Sequence, residues 1–460
     1  MKGVIADEFG DDVEITLYKS TDTTTNNVTI KEGNSTIGGD TTKQYYKEDS
    51  VVLNGTPEKV YGTKALKNKD QIILEQADFD NSTLSKTTYY LVYCYKNNGN
   101  QDKQQGKSFS GEISVRLILE KGSQEETGTN AVEYVTTLAT TDTTNLATDD
   151  YGNTRYIGAD PSNYVSIDGD IWRILGVMKD IDDGTGNKSD RVKLIRADSI
   201  GDYSWDTSES SINEGYGVNE WSQADLMKLL NPGYESESVG GSLYWNSGVG
   251  TCYNSENNTT TSCDFTSTGI KDKLKTLIGD AVWNTGANDG KTYTYSNIIT
   301  SKFYELERSN NTGKICSSGT SCNDVIDRTT EWIGKVGLMY PSDYGYATSG
   351  GTTTDRATCL NKELYNWYNS NVSDCKNNDW LFNGFYQRTI SPYAHSFHNA
   401  SVFMVSRSGG VSNDAAYDVD GVRPVVYLKS SVKIASGTGS QDDPFILENW
   451  YVMSISFFIW

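Results

Sequence analysis

Residues 406–428, "SRSGGVSNDAAYDVDGVRPVVYL", join two kinds of sequence. The end, Val422 to Leu428, is nearly all apolar, the pattern of a buried strand, with Arg423 and Pro424 set into it. The part before it is small and polar and contains no Lys, Glu or Gln. Binding residues are commonly carried on loops that a rigid scaffold holds in place. The stretch therefore reads as an irregular segment presented to solvent on a buried closing strand. Arg423 reads as a structural hydrogen-bonding residue.

Composition favours strands and turns. Of 460 residues, 36 % are hydrophobic, and 30 Tyr and 10 Trp stand against 2 His and 7 Pro. A chain of this length accommodates several domains and at least one sizeable core. The net charge of −21 repels phosphate backbones and argues against nucleic-acid binding. Such charge serves solubility, with structural calcium at carboxylate loops as the alternative; no other cofactor is implied. Six of the seven cysteines form close pairs, Cys252 with Cys263, Cys316 with Cys322 and Cys359 with Cys375. Each pair brackets a polar stretch, as in "CYNSENNTTTSC", which points to disulfides in an oxidising compartment. Zinc knuckles need shorter spacings and further ligands. Cys94 is left as a small buried hydrophobe.

Residues 1–122 alternate strand-like segments, "DVEITLY", "NVTI", "SVVL", "TTYYLVYCY" and "GEISVRLILE", with polar turns, which predicts an all-β sandwich. The start, "MKGVIADEFG", has no apolar leader, so an oxidised chain implies a leader or anchor removed from this form. Residues 123–149 shift to Thr, Ala and Asp and read as a linker, with two helical turns in "AVEYVTTLA". Residues 150–447 read as an α+β domain. Within it "YVSIDGDIWRILGV" has the signature of a hairpin turning at Asp168-Gly169. Helices are expected in "WSQADLMKLLN", "IKDKLKTLIGDAVW" and "ATCLNKELYNWYN", and a disulfide-bearing insertion at about 233–330. Residues 448–460 form an apolar tail, too short to span a bilayer as a helix.

"YIGADPSNYVSIDGDIWRILGVM", "LMYPSDYGYAT", "CLNKELYNWYNSNVSDCKNNDWLF" and "GVRPVVYLKSSVKIASGTGSQDDPFIL" resemble an extracellular domain of surface proteins of Gram-positive gut bacteria, often found behind a type IV prepilin leader. Gly421-Val422-Arg423, entered from a polar segment, is also similar to the C-type-lectin-like fold of formylglycine-generating enzymes and of retroelement-diversified variable proteins. Pro424 and the lack of a "WND"-type calcium motif depart from that pattern. "TTYYLVYCYKNNGNQDKQQGKSFSGEISVRLI" resembles the last two strands of camelysin-type biofilm-fibre proteins. These resemblances imply a bacterial cell-surface, pilus or fibre protein whose C-terminal domain is C-type-lectin-like, with Trp172 and Trp380 as structural core residues.

Catalytic readings find little support in the residues. Cys359 and Cys375 bracket a helical segment and do not form the redox pair of a formylglycine-generating enzyme. His395 and His398 follow Ser391-Pro392, a turn-like position, without neighbouring acidic ligands. Asp414, Asp418 and Asp420 lie in one segment and read as solvated loop carboxylates rather than the facing pair of a glycosidase. Tyr393, His395, Phe397, His398, Asn399, Ser406, Arg407, Asn413, Tyr417 and Asp418 supply the aromatic, amide and hydroxyl groups that recognition loops use. Between Thr389 and Leu428 every residue but Met404 is reachable from an Asn codon by changing its adenines, a signature that adenine-directed diversification leaves. The expectation is an adhesin that binds a surface glycan or protein through residues 391–420. The rivals are a filament subunit that binds its own kind and an enzyme of the two classes named.

Overall fold

The computed structural model describes residues 128–208, 217–287, 293–313, 326–394 and 400–448 in full, and the strands of residues 2–114 and 452–453 by their backbone. The protein is mostly β-sheet with few, short helices. It divides into two compact units, Met1–Ser123 with Trp450–Trp460, and Gln124–Asn449.

In the first unit, Val13–Ser20 pairs antiparallel with Thr88–Tyr95 along its whole length and with Glu58–Tyr61 on its other side. Lys2–Asp7 pairs with Phe109–Ser114. The tail contributes a strand, Val452–Met453, added to the free side of Phe109–Ser114. Residues 115–120 of the last expected strand lie outside the described residues, as does the Cys94 side chain.

The second unit is built on a ten-stranded sheet. Its centre is the hairpin that the sequence announces. Tyr164–Ile167 and Asp170–Asp182 pair antiparallel, and Asp168 and Gly169 both adopt positive φ, as a two-residue hairpin turn requires. Asp170–Asp182 continues into Lys188–Arg196 through an acidic turn. There Asp182 accepts hydrogen bonds from Gly184 and Gly186 N–H, and Asp183 from Thr185. Val425–Tyr427 pairs with Lys188–Arg196 on one side and with Val336–Gly337 on the other. The strand expected to close the fold is therefore flanked on both sides.

Two stretches belong to this unit more fully than their composition suggests. Residues 128–149, read as a linker, carry Thr129–Asn130, which joins the sheet, and the helix Ala131–Leu138, which buries Ala131 and Val135. The Asn130 side chain caps that helix by accepting from Val132 and Glu133 N–H. The supposed insertion at 233–330 buries Tyr244, Phe265, Leu274, Leu277 and Trp283 in the same core. Its polar surface residues hide that contribution from a reading by composition.

Trp172 is buried in the central strand, and Trp380 donates its indole N–H to the Tyr156 carbonyl at 2.9 Å. Cys252–Cys263 and Cys359–Cys375 are disulfides, whereas Cys316 and Cys322 lie outside the described residues. Among the described residues no helix is long and apolar enough to cross a membrane. At Gly176 the sheet folds tightly over Thr154–Tyr156, and a Cβ there would overlap the Thr154 carbonyl oxygen. Gly176→Ala is expected to lower stability by about 2 kcal/mol, the cost of overpacking a core that cannot yield. Thermal and urea unfolding check this; an unchanged midpoint would mean the two strands can separate freely.

Candidate functional site

A second, five-stranded sheet carries the segment singled out by sequence. Its order is Asp202–Ser204, Val419–Gly421, Gln387–Tyr393, Ser401–Val405, Val411–Ala415. Residues 406–420 are thus not an irregular loop. Val411–Ala415 pairs residue for residue with Ser401–Val405, and Ser406–Gly410 is the turn between them. Val411 and Ala415 at its ends are buried, while Ser412, Asn413 and Asp414 between them are half-buried. Low intrinsic strand propensity yields to the fully buried partner strand Ser401–Val405. Ser391-Pro392 is likewise not a turn but part of the buried strand Gln387–Tyr393, at an irregularity between Arg388 and Pro392. Proline is tolerated where a ladder is interrupted.

The turn of this hairpin is clamped from below. Gly409, at φ 91°, offers its carbonyl to the Tyr344 hydroxyl at 2.8 Å, and Lys376 donates to the Ser408 carbonyl at 2.7 Å. A Cβ on Gly410 would overlap the Tyr365 carbonyl. Lys376 adjoins Cys375, so the Cys359–Cys375 bridge ties the clamp to its own helix pair. Arg423 joins the two sheets, donating to the Arg196 carbonyl at 2.9 Å and to the Gln387 side chain at 3.0 Å. Burial pulls its guanidinium down to about 10.

Under the hairpin lies an ionic cluster. Arg388 is buried; its Nη2 donates to the carbonyls of Ala415 at 2.9 Å and Asp418 at 2.5 Å. Its Nε lies 2.9 Å from the Asp420 carboxylate, an ion pair without hydrogen-bond alignment, and Nη1 has no partner. Asp420 is buried, which corrects its reading as a solvated loop carboxylate, whereas Asp414 and Asp418 are half-buried. Burial raises the Asp420 carboxyl against the pull of Arg388. Asp418 is pushed up to about 7, first by burial, then by a shared hydrogen bond with Asp414 and by its charge.

The sequence-selected contact residues separate into three groups. Ser406, Arg407, Asn413, Tyr417 and Asp418 keep part of their surface open, Arg407 being exposed. Tyr393 is 2 % exposed, its ring packed against Phe403 and its carbonyl accepting from Asn219, so it serves the core rather than a ligand. His395, Phe397, His398 and Asn399 lie outside the described residues. Sequence reasoning missed Phe385, Tyr386 and Val419, apolar residues left exposed beside the turn. Phe385 and Tyr386 immediately precede Gln387, which pairs with both Val405 and Gly421, and Arg407 stands 5.6 Å from the Tyr386 ring. The signal available was the pair of aromatics in "NGFYQR", placed directly after a turn.

The arrangement defines a class: a β-rich, disulfide-carrying unit that presents a clamped, polar hairpin. Two disulfides fit an oxidising compartment. No protein-family model, curated protein or solved structure matches the chain.

The raised Asp418 carboxyl has a defined pH consequence. It holds its proton in the fold but loses it in the unfolded chain above about pH 4. Its stabilising share is complete below that value and is lost as pH rises through about 7. Asp418→Asn, which mimics the protonated form, is expected to raise the melting temperature more at pH 8 than at pH 5. An effect equal at both pH values would show that Asp418 ionises normally.

Proposed function

We propose that this chain is an extracellular recognition protein of a bacterial surface, an adhesin or pilus- or fibre-associated binding protein. Its second unit is proposed to have a C-type-lectin-like fold, and the first to act as a β-sandwich stalk or assembly module. The observation that carries the reading is the hairpin 401–415. Its turn is fixed by Tyr344, Lys376 and Tyr365, yet Ser406, Arg407, Asn413, Tyr417 and Asp418 stay open to solvent. Rigid presentation of adaptable polar groups lowers the entropic cost of binding. The mechanism is recognition without covalent chemistry: Asp420 and Arg388 are engaged in holding the hairpin.

One observation favours filament assembly as a second reading. The strand Val452–Met453 occupies the free side of Phe109–Ser114, a position that a strand donated by a neighbouring subunit would also fit.

The test compares the full chain with the variant Ser406→Ala/Arg407→Ala/Asn413→Ala/Tyr417→Ala on arrays of glycans and surface proteins. Binding by the parent and a loss of at least tenfold in the variant are expected, with melting temperature retained. Fibres formed by the purified chain alone, with 406–418 inaccessible to labelling, would overturn the adhesin reading in favour of the filament.

A further inference from the structure

A row of tyrosines borders the hairpin. Tyr365, whose backbone abuts Gly410, lies between Tyr295 at 5.0 Å and Tyr368 at 5.4 Å, ring centre to ring centre, both edge to face. The row continues inward from Tyr295 to Tyr393 at 6.2 Å and on to Phe403 at 5.1 Å. Its outer end is open: Tyr368 is 45 % exposed, and Tyr295 and Tyr365 are half-buried. Among the described residues, none of these three hydroxyls has a hydrogen-bond partner.

We propose that Tyr295, Tyr365 and Tyr368 form a stacking platform for a neutral oligosaccharide. This rests on the recognition reading and names its ligand class. A tyrosine ring offers a flat apolar face to the C–H side of a pyranose, and its hydroxyl serves the sugar's polar edge. With only two side-chain torsions to fix, it does so at small entropic cost. The surroundings favour a sugar over a protein hot spot, which centres on a water-excluding apolar pocket. In "YNWYNS", residues 365–370, Trp367 is turned into the core, while Asn366 and Asn369 are half-buried and Ser370 is exposed. Charge selects the neutral class: the chain carries −21, and the neighbouring Lys362 is paired with Glu363 at 3.3 Å.

The platform is held still before any ligand arrives. Leu364 N–H donates to the Ile298 carbonyl at 3.0 Å, joining the segment that carries Tyr295 to the one that carries Tyr365 and Tyr368. The Asn366 side chain donates to Glu363 and that of Asn369 to the Asn366 carbonyl, each at 3.0 Å. The Cys359–Cys375 bridge spans the whole segment.

The test uses the full chain on a panel of neutral hexose and N-acetylhexosamine oligosaccharides, beside sialylated and sulfated versions and deglycosylated carrier proteins. The best neutral oligosaccharide is then titrated by calorimetry. Tyr365→Ala/Tyr368→Ala is expected to weaken it about tenfold, the worth of a lost aromatic contact, and Tyr368→Trp to preserve it. An unchanged melting temperature certifies the fold of each variant. Equal sugar binding by parent and double variant, or no binding of any neutral oligosaccharide, would overturn the platform. Binding of a deglycosylated protein that survives the tyrosine changes but not those at Arg407 and Asn413 would overturn the platform while upholding recognition through the hairpin.

Discussion

The second unit depends on one buried carboxylate. Asp343 accepts from Arg155 Nη1 at 2.7 Å, Lys193 Nζ at 2.5 Å and the Tyr340 N–H at 3.0 Å, and all three ionic side chains are sealed from water. Burial opposes the Asp343 charge, but Lys193 and Arg155 outweigh it and hold the carboxyl far below the usual range. Lys193 lies over the Tyr340 ring at 4.3 Å, and burial brings its amine down to about 8. Removing charges from water costs several kcal/mol per ion, so the opposite charges of such a cluster have to pair closely. Asp149 accepts from Arg155 Nε at 2.9 Å, which leaves the buried Nη2 without a partner. The constraint links distant parts of the chain: Arg155 comes from the strand Thr154–Tyr156 and Asp149 from the turn before it, Lys193 from the central sheet, Asp343 from a late helix.

That helix, Pro341–Tyr346, conveys the constraint to the binding face. Asp343 ties it to the sheet, and the adjacent Tyr344 donates to the Gly409 carbonyl at the hairpin turn. Ser342 on the same turn donates from N–H and hydroxyl to the buried Glu307, whose carboxyl burial lifts to about 7 against the pull of Arg308. Three consecutive residues thus join the ten-stranded sheet, the helix Thr300–Glu307 and the hairpin. Arg423 supplies a second, independent link between the sheets through Arg196 and Gln387. A hairpin held at its turn and its base keeps its open side chains in place without a ligand, which is what recognition at low entropic cost requires.

Much of this was legible where the signal is local. Asp168-Gly169 between two apolar runs identified the central hairpin, and the spacing of Cys252 with Cys263 and of Cys359 with Cys375 identified two disulfides. The run "AVEYVTTLA" marked a helix, although its Thr- and Asp-rich flanks disguised a sheet strand as linker. Long-range pairing was not legible. "VSNDA" has weak strand propensity and becomes a strand because "SVFMV" lies opposite. Arg388 and Asp420 look like surface charges in one dimension, and only the pairing of Gln387 with Gly421 brings them together. Tyr393 looked like a contact residue because aromatic type alone does not say which way a ring faces. Arg423 was readable because a lone charge inside an apolar run has to be hydrogen-bonded.

If the Asp343 cluster fixes the hairpin through Pro341–Tyr346, damage to the cluster has to appear at the binding face. Hydrogen–deuterium exchange of the full chain carrying Asp343→Asn, followed in residues 401–415, measures this directly. The substitution leaves Arg155 and Lys193 without their shared counter-charge, so stability is expected to fall by about 3–5 kcal/mol. Exchange is expected to rise in 341–346 and 401–415 together, under conditions where the rest of the sheet stays protected. Exchange in 401–415 identical to that of the parent protein, with an unchanged unfolding midpoint, would contradict the dependence of the hairpin on the buried carboxylate.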